Sequence, residues 1–505
     1  MEKLFICKPD EPVVSTKYGK LRGYFFDKSY IFHGIRYAKA KRFHAPEAPD
    51  CWEGIQDALT YGKAAPYNVR GAATEVSLPL RYWPMDENCQ YLNVWTPSLD
   101  SAAKKPVMVW FHGGGYGAGS GIEQMHFNGQ NLSQAGDVVV VTVNHRLNIL
   151  GYLDLSAFGA EYANSGNAGD ADLVAALEWV RDNIAAFGGD PGNVTIFGQS
   201  GGGAKTRDMM RCHAADGLYH RAIVQSGVFA AGGLAPESAS GEKLIRAMLE
   251  DLGLDSVKEL ETIPYSQLSD SYDRVSPIMR AAGEYVGGSP QYNDWLGVEP
   301  TEYALGVPVM AGTVFAEFSV RRAVHGKREL PDAEIRARLE AALGEHTDRL
   351  LEMFRAVYPE KHPADLLALD SACRPATMEY LRDLAGKSRA GAWAYLFNYE
   401  CPYMGGYPAE HNAEIPFLFR NTAMVPMYNE PGVTEKLEAE VSDAWVSFAR
   451  TGNPGWDSCT TEREVTMVFD RTSAVRTDFD RELLALLGQV SPVSGPGRAP
   501  APKAK

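Results

Sequence analysis

One junction constrains this chain more than any other. Val194-Thr195-Ile196-Phe197, a short apolar and β-branched run, leads directly into Gly198-Gln199-Ser200-Gly201-Gly202. The run predicts a buried strand, and the glycines predict a sharp turn out of it. A serine with glycine two residues before and two after has the layout of a nucleophile elbow. There the missing side chains let neighbouring backbones approach, and the serine hydroxyl stands above a sheet. Read by itself, the pattern fits a plain strand-to-helix turn equally well. A second junction upstream favours the chemical reading. Val107-Met108-Val109-Trp110-Phe111 predicts another buried strand and opens into His112-Gly113-Gly114-Gly115-Tyr116-Gly117. Consecutive glycines can aim backbone N–H groups at one point, as an oxyanion requires when a carbonyl becomes tetrahedral. A phosphate cradle is the competing reading. Residues 113–121 match neither glycine-rich phosphate pattern, and no lysine follows where a P-loop needs one.

Candidate strands then alternate with helical patterns. Tyr91 to Trp95, Val138 to Val143, Ala222 to Gln225, Val307 to Met310 and Trp393 to Phe397 join the two strands above. Between them, Asp172 to Phe187 carries apolar residues at Leu173, Ala176, Leu177, Val180 and Ile184, the spacing of an amphipathic helix. This order predicts an α/β fold with a mostly parallel twisted sheet covered by helices on both faces. The 505 residues are expected to form one sheet-centred domain over 1–490, with helical insertions at about 235–300 and 325–390. The tail over 491–505 has the composition of a disordered segment. Val13 to Thr16 and Leu21 to Phe25 flank a turn and predict a hairpin near the start.

Charge narrows the partners. A net charge of −15 with no basic cluster argues against nucleic acid and anionic membrane surfaces. No apolar run is long enough to cross a bilayer, and the first nine residues lack a signal-peptide core. Seven scattered cysteines without a C-x-x-C pair suggest reduced thiols, and H-E-x-x-H is absent. The expectation is a cytoplasmic protein that uses no metal and no cofactor, with a small molecule as its partner.

A serine hydroxyl needs a base, and the base needs an orienting carboxylate; on this type of sheet both follow the serine. His325, His346, His362 and His411 are the downstream histidines. His411 is best placed, after the 393–399 strand and a Gly/Pro-rich loop. Glu317, just past the 307–310 strand, is one acid candidate among many. Tyr116, Phe315, Phe318 and Trp83 could line an apolar gorge.

These residues resemble the type-B carboxylesterases of the α/β-hydrolase superfamily. The matching segments include Glu87 to Val94, Phe111 to Gly115, Asn144 to Leu147, Phe187 to Pro191, Gly198 to Gly202, Gln225 to Gly227, Gly312 to Glu317, His411 to Phe417 and Phe448 to Pro454. The resemblance implies a serine ester hydrolase with Ser200 as nucleophile, Glu317 as acid and His411 as base. It also implies Gly114, Gly115 and Gly201 as oxyanion-hole donors, and it places Gln199 and Phe229 near the substrate. The segment Val228 to Gly233, where relatives build the acyl pocket, is rich in small residues and suggests room for a bulky acyl group. Carbamate or amide hydrolysis, a specialised natural ester and a catalytically silent binding module are the alternatives. Three departures stand out: Gln199 where glutamate is usual, Gly201 where alanine is usual, and Asn412 where glycine usually follows the histidine. Relatives from oxidising compartments pair the cysteine equivalent to Cys89 with one about 25 residues earlier; here Ala64 to Tyr67 stand there.

Overall fold

The computed structural model describes residues 4–67, 83–229 and 240–492. A twelve-stranded sheet runs through it in the order Phe5–Ile6, Tyr24–Phe26, Ser29–Arg36, Tyr91–Thr96, Val139–Val143, Lys105–Phe111, Gly189–Gln199, Arg221–Gln225, Val309–Val314, Ala392–Phe397, Val465–Phe469 and Ala474–Thr477. From Val139–Val143 through Val465–Phe469 every neighbouring pair is parallel. The two margins are antiparallel. The sequence pattern does not single out Ser29–Arg36, Val465–Phe469 or Ala474–Thr477, where polar residues interrupt the apolar runs.

Side chains alternate across a strand, and here both faces are covered. Met108 and Trp110 join Phe197, Ile223 and Met310 in one core, whereas Val107, Val109 and Phe111 join Val194, Ile196, Ala222 and Val224 in the other. A third apolar cluster lies outside the sheet. It packs Leu244, Ile245 and Met248 of helix Glu242–Leu252 and Leu268 and Val275 of helix Tyr265–Ala281 against Ile149, Leu153 and Leu155. Helices Asp332–Leu343, Thr347–Val357 and Cys373–Lys387 occupy the second helical stretch. The tail beyond residue 492 lies outside the described residues. Among the described residues, no helix is long and apolar enough to cross a membrane.

The amphipathic helix begins a turn earlier than its apolar pattern predicts, spanning Ala168–Asn183, and finishes as a 3-10 turn at Ile184–Phe187. Its extra first turn carries Asp170, and Asp172 behind it is wholly buried on Arg146. The Arg146 guanidinium donates to both Asp172 oxygens, at 2.9 and 2.7 Å, and the Arg146 backbone N–H donates to one of them at 3.0 Å. Its remaining N–H groups reach the carbonyls of His44 and Ala168. The pair therefore ties the loop after Val139–Val143 to this helix, with its polar groups satisfied. Cys89 packs close by against Ala65 and Leu147. Arg146→Met would leave Asp172 buried without its counter-ion and should cost about 3–5 kcal/mol. Urea-unfolding midpoints of the two proteins measure this, and equal midpoints would refute it.

Candidate active site

The parallel strands end on one rim, where open α/β sheets place their ligands. Ser200 follows Gly189–Gln199, Ser226 follows Arg221–Gln225, and Glu317 lies three residues past Val309–Val314. All three adopt positive φ, at 58°, 46° and 45°. Side chains with a Cβ rarely occupy that region, and such positions persist only where surrounding contacts enforce them. The enforcement here is backbone bonding between adjacent strand ends. Ser200 N–H donates to Gln225 O at 2.8 Å, and Ser226 N–H donates to Gly312 O at 2.8 Å.

Glycine makes the elbow possible by permitting backbone contact. A Cβ on Gly202 would lie 1.9 Å from Phe111 O, and one on Gly203 would lie 2.8 Å from the Cα of Gly227. Helix Gly201–Met209 thus starts flush against the ends of the two neighbouring strands. Gly201 faces Gly115 so closely that a Cβ there would sit 2.5 Å from Gly115 N and 2.3 Å from its oxygen. Glycine in place of the family's usual alanine fits this approach. Gly114 and Gly115 hold positive φ of 87° and 63° in the loop that follows Lys105–Phe111.

Glu317 and His411 meet through backbone pairing. Glu317 forms a parallel bridge with Glu410, and Ala316 N–H donates to Ala409 O at 2.9 Å. His411 Nδ1 is hydrogen-bonded to Glu317 Oε2. Glu317 is completely buried, and its Oε1 accepts from the Ser226 hydroxyl at 2.6 Å and from Val314 N–H at 3.0 Å. Asn412, next to the imidazole, has φ of 84°. Glycine adopts that conformation most easily and asparagine is among the few side chains that tolerate it, which accounts for the third departure.

The Phe318 ring lies against His411 with centroids 4.1 Å apart, and Phe229 stands 6.5 Å from Phe318. Gln199 is buried, with its amide nitrogen 3.4 and 3.3 Å from the two imidazole nitrogens. It is within reach of both and committed to neither. No hydrogen bond joins His411 to the Ser200 hydroxyl here; catalytic contacts of this kind are often loose in unliganded enzymes.

One expectation about the gorge needs correction. Phe315 is 1% exposed and packs edge-on to Tyr358, 5.4 Å away, so it belongs to the core beneath the site. Tyr116 turns its hydroxyl down to Asp208 Oδ2 at 2.6 Å. Trp83 donates to Ile122 O at 2.8 Å and packs on Tyr61. Ala230 to Gly233, the expected small-residue segment, lie outside the described residues. A cavity of about 250 Å³ opens beside Gly117, lined by Asn148, Ile149, Tyr265, Tyr272 and Asp273.

Sequence reasoning missed Ser226, Asp370 and Glu414. The Gln225-Ser226-Gly227 segment was the available signal, and each of its residues has a task. Gln225 donates to Glu414 Oε1 at 3.1 Å and accepts from the Trp445 indole; Ser226 holds Glu317; Gly227 admits the helix. Asp370 accepts three backbone N–H groups, from Ala372, Cys373 and Arg374. Burial first, and then the nearby Glu317 carboxylate, push the acids of Glu414 and Asp370 each up to about 7.

Residues 10–482 match the carboxylesterase family. The chain belongs to that family. The para-nitrobenzyl esterase of Bacillus subtilis (strain 168) is 32% identical over 93% of this chain and 97% of its own. The phenmedipham hydrolase of Pseudarthrobacter oxydans is 29% identical over 88% and 91%. Among solved structures, an esterase from Clostridium hathewayi superposes with a TM-score of 0.93 at 48% identity, over 97% of this chain and all of the other. The fold is that of the α/β-hydrolases, and the chain is a carboxylesterase-family enzyme.

The raised acid of Glu414 has a thermodynamic signature. Its ordinary value is 4.5, so unfolding releases a proton between that pH and about 7, and stability falls as pH rises through this window. Glu414→Gln removes the titration. The stability of the variant relative to wild type should therefore rise between pH 4.5 and 7, by about 2–3 kcal/mol, and level off above. Melting temperatures across pH measure it, and a pH-independent difference would refute it.

Proposed function

We propose that this enzyme hydrolyses small to medium apolar carboxylic esters by two-step acyl transfer. The observation that carries the reading is the buried Glu317–His411 pair beside the strained Ser200 elbow. Glu317 accepts from Nδ1–H of His411, which leaves the Nε2 lone pair free to take a proton. Nε2 removes the Ser200 proton once Gln199 yields its place, and Oγ attacks the ester carbonyl. The oxyanion is held by the N–H groups of Gly114, Gly115 and Gly201. His411 then protonates the departing alcohol, and water releases the acid by the reverse roles.

The substrate reading draws on Phe229 and Phe318, which present an apolar wall next to the imidazole. It also draws on the Clostridium hathewayi relative, an esterase that can hydrolyze aliphatic aromatic polyesters. We extend that to esters with an aromatic acyl group.

Ser200→Ala should lower kcat on p-nitrophenyl butyrate by at least ~10⁴-fold, and substantial retained turnover would refute the nucleophile. Gly114→Ala would put a Cβ 2.3 Å from Ala118 O at a positive φ. It should lower kcat by roughly 10²–10³-fold with little change in KM. Rates on p-nitrophenyl esters from acetate to decanoate, with a terephthalate diester and an aryl carbamate beside them, test the substrate class. A strict preference for acetate would remove the bulky acyl group, and a faster carbamate would replace the ester reading.

A further inference from the structure

Lys205 is completely buried, five residues past Ser200 on helix Gly201–Met209. Helical spacing puts it on the face that also carries Gly201 and Gly202, the residues in backbone contact with the glycine loop. Its ammonium donates to His112 O at 3.2 Å, and among the described residues no carboxylate forms a direct ion pair with it. That carbonyl is the last peptide oxygen before Gly113-Gly114-Gly115. It is also crowded from the helix side, because a Cβ on Gly202 would lie 2.9 Å from it.

The surroundings show that the cation is built in. Tyr116, within the same loop, sets its ring 6.0 Å from the Lys205 nitrogen and bonds Asp208 one turn further along the helix. Asp170 from helix Ala168–Asn183, Glu123 from beyond the glycine loop and Asp208 draw the lysine toward its charged form, against burial, which lowers it to about 7. His112 and His145 lie at the ends of two adjacent strands with ring centroids 5.2 Å apart. Burial and the lysine charge hold both well below the usual imidazole range. The one described hydrogen bond of Lys205 goes to the loop. Burying an ammonium is costly without compensation. Here the compensation converges on the peptide that starts the oxyanion loop.

We propose that Lys205 is a positioning residue: its buried ammonium pins the His112 carbonyl and so holds the Gly113–Gly115 backbone in the arrangement that accepts an oxyanion. The proposal rests on the acyl-transfer reading above. It places a buried donor beneath the loop, acting through the His112–Gly113 peptide and not on the substrate directly. Because the oxyanion exists only after attack, its loss should weaken the tetrahedral state more than the bound ester.

Lys205→Met keeps the length of the side chain and removes the charge and the donors. Lys205→Arg keeps both. The full-length variants, with Ser200→Ala as a control, are compared on p-nitrophenyl butyrate and on a trifluoromethyl ketone, which adds to the serine as a tetrahedral oxyanion. For Lys205→Met we expect kcat to fall at least tenfold, KM to stay within twofold and ketone affinity to weaken at least tenfold. Lys205→Arg should recover part of both losses. If Lys205→Met does not fold, Lys205→Gln, a neutral donor, is read in the same way. A kcat and ketone affinity within twofold of wild type would overturn the proposal, as would losses shared equally by KM and ketone binding. Activity surviving in Ser200→Ala would overturn the acyl-transfer reading and this proposal with it. An inactive Ser200→Ala beside an unimpaired Lys205→Met would overturn only the role of Lys205.

Discussion

Contact between backbones, with no side chain between them, is the constraint on which the site depends. The first turn of helix Gly201–Met209 rests on the carbonyls of Phe111 and His112 and on the Cα of Gly227. Any Cβ at Gly202 would separate these layers. With the layers in contact, the serine elbow, the glycine loop and the Ser226 turn stand on adjacent strand ends. The parallel sheet supplies the lateral order, and the glycines supply the vertical approach.

Strain and burial are the counterpart of that approach. Ser200, Ser226 and Glu317 each hold a positive φ. Conformations of this kind cost on the order of 1–3 kcal/mol apiece and survive only where surrounding structure overdetermines them. The overdetermination comes from ladder bonds between neighbouring strand ends and from two apolar cores that bury both faces of the sheet. Two further buried acids, Glu414 and Asp370, lie near Glu317. Each is pushed up to about 7 by burial and by the nearby Glu317 carboxylate. Glu317 accepts from the Ser226 hydroxyl and the Val314 N–H and is hydrogen-bonded to His411.

Much of this was legible in the sequence, for a physical reason. The strand before Ser200, the glycine loop and the helix after Asp172 are local patterns, in which hydrophobic period and glycine placement act over a few residues. Contacts between distant segments were not legible. Phe315 read as a gorge residue because an aromatic two residues before Glu317 can face either way. Its partner Tyr358 decides the direction, from a segment more than forty residues later. Ser226 and Glu414 lay in segments that matched the family, but their tasks were not legible until strand ends and a downstream loop brought them to Glu317 and Gln225. Lys205 was hidden by its type, because a lysine on a helix normally reads as solvated surface.

Two departures from the family pattern at the elbow, and the buried Lys205 beside them, have a common physical logic. With glycine at 201, the helix start and Gly115 meet at a distance an alanine methyl would not allow. With glutamine at 199, a neutral amide lies against His411 where a carboxylate would add a second negative charge. Lysine at 205 then places a cation under the same loop, at the carbonyl of His112. Under the proposed mechanism, each of the three residues would favour negative charge on the substrate oxygen. They act through separate elements, the strand end, the helix start and the helix interior, and this convergence argues that they should be considered together as one electrostatic arrangement.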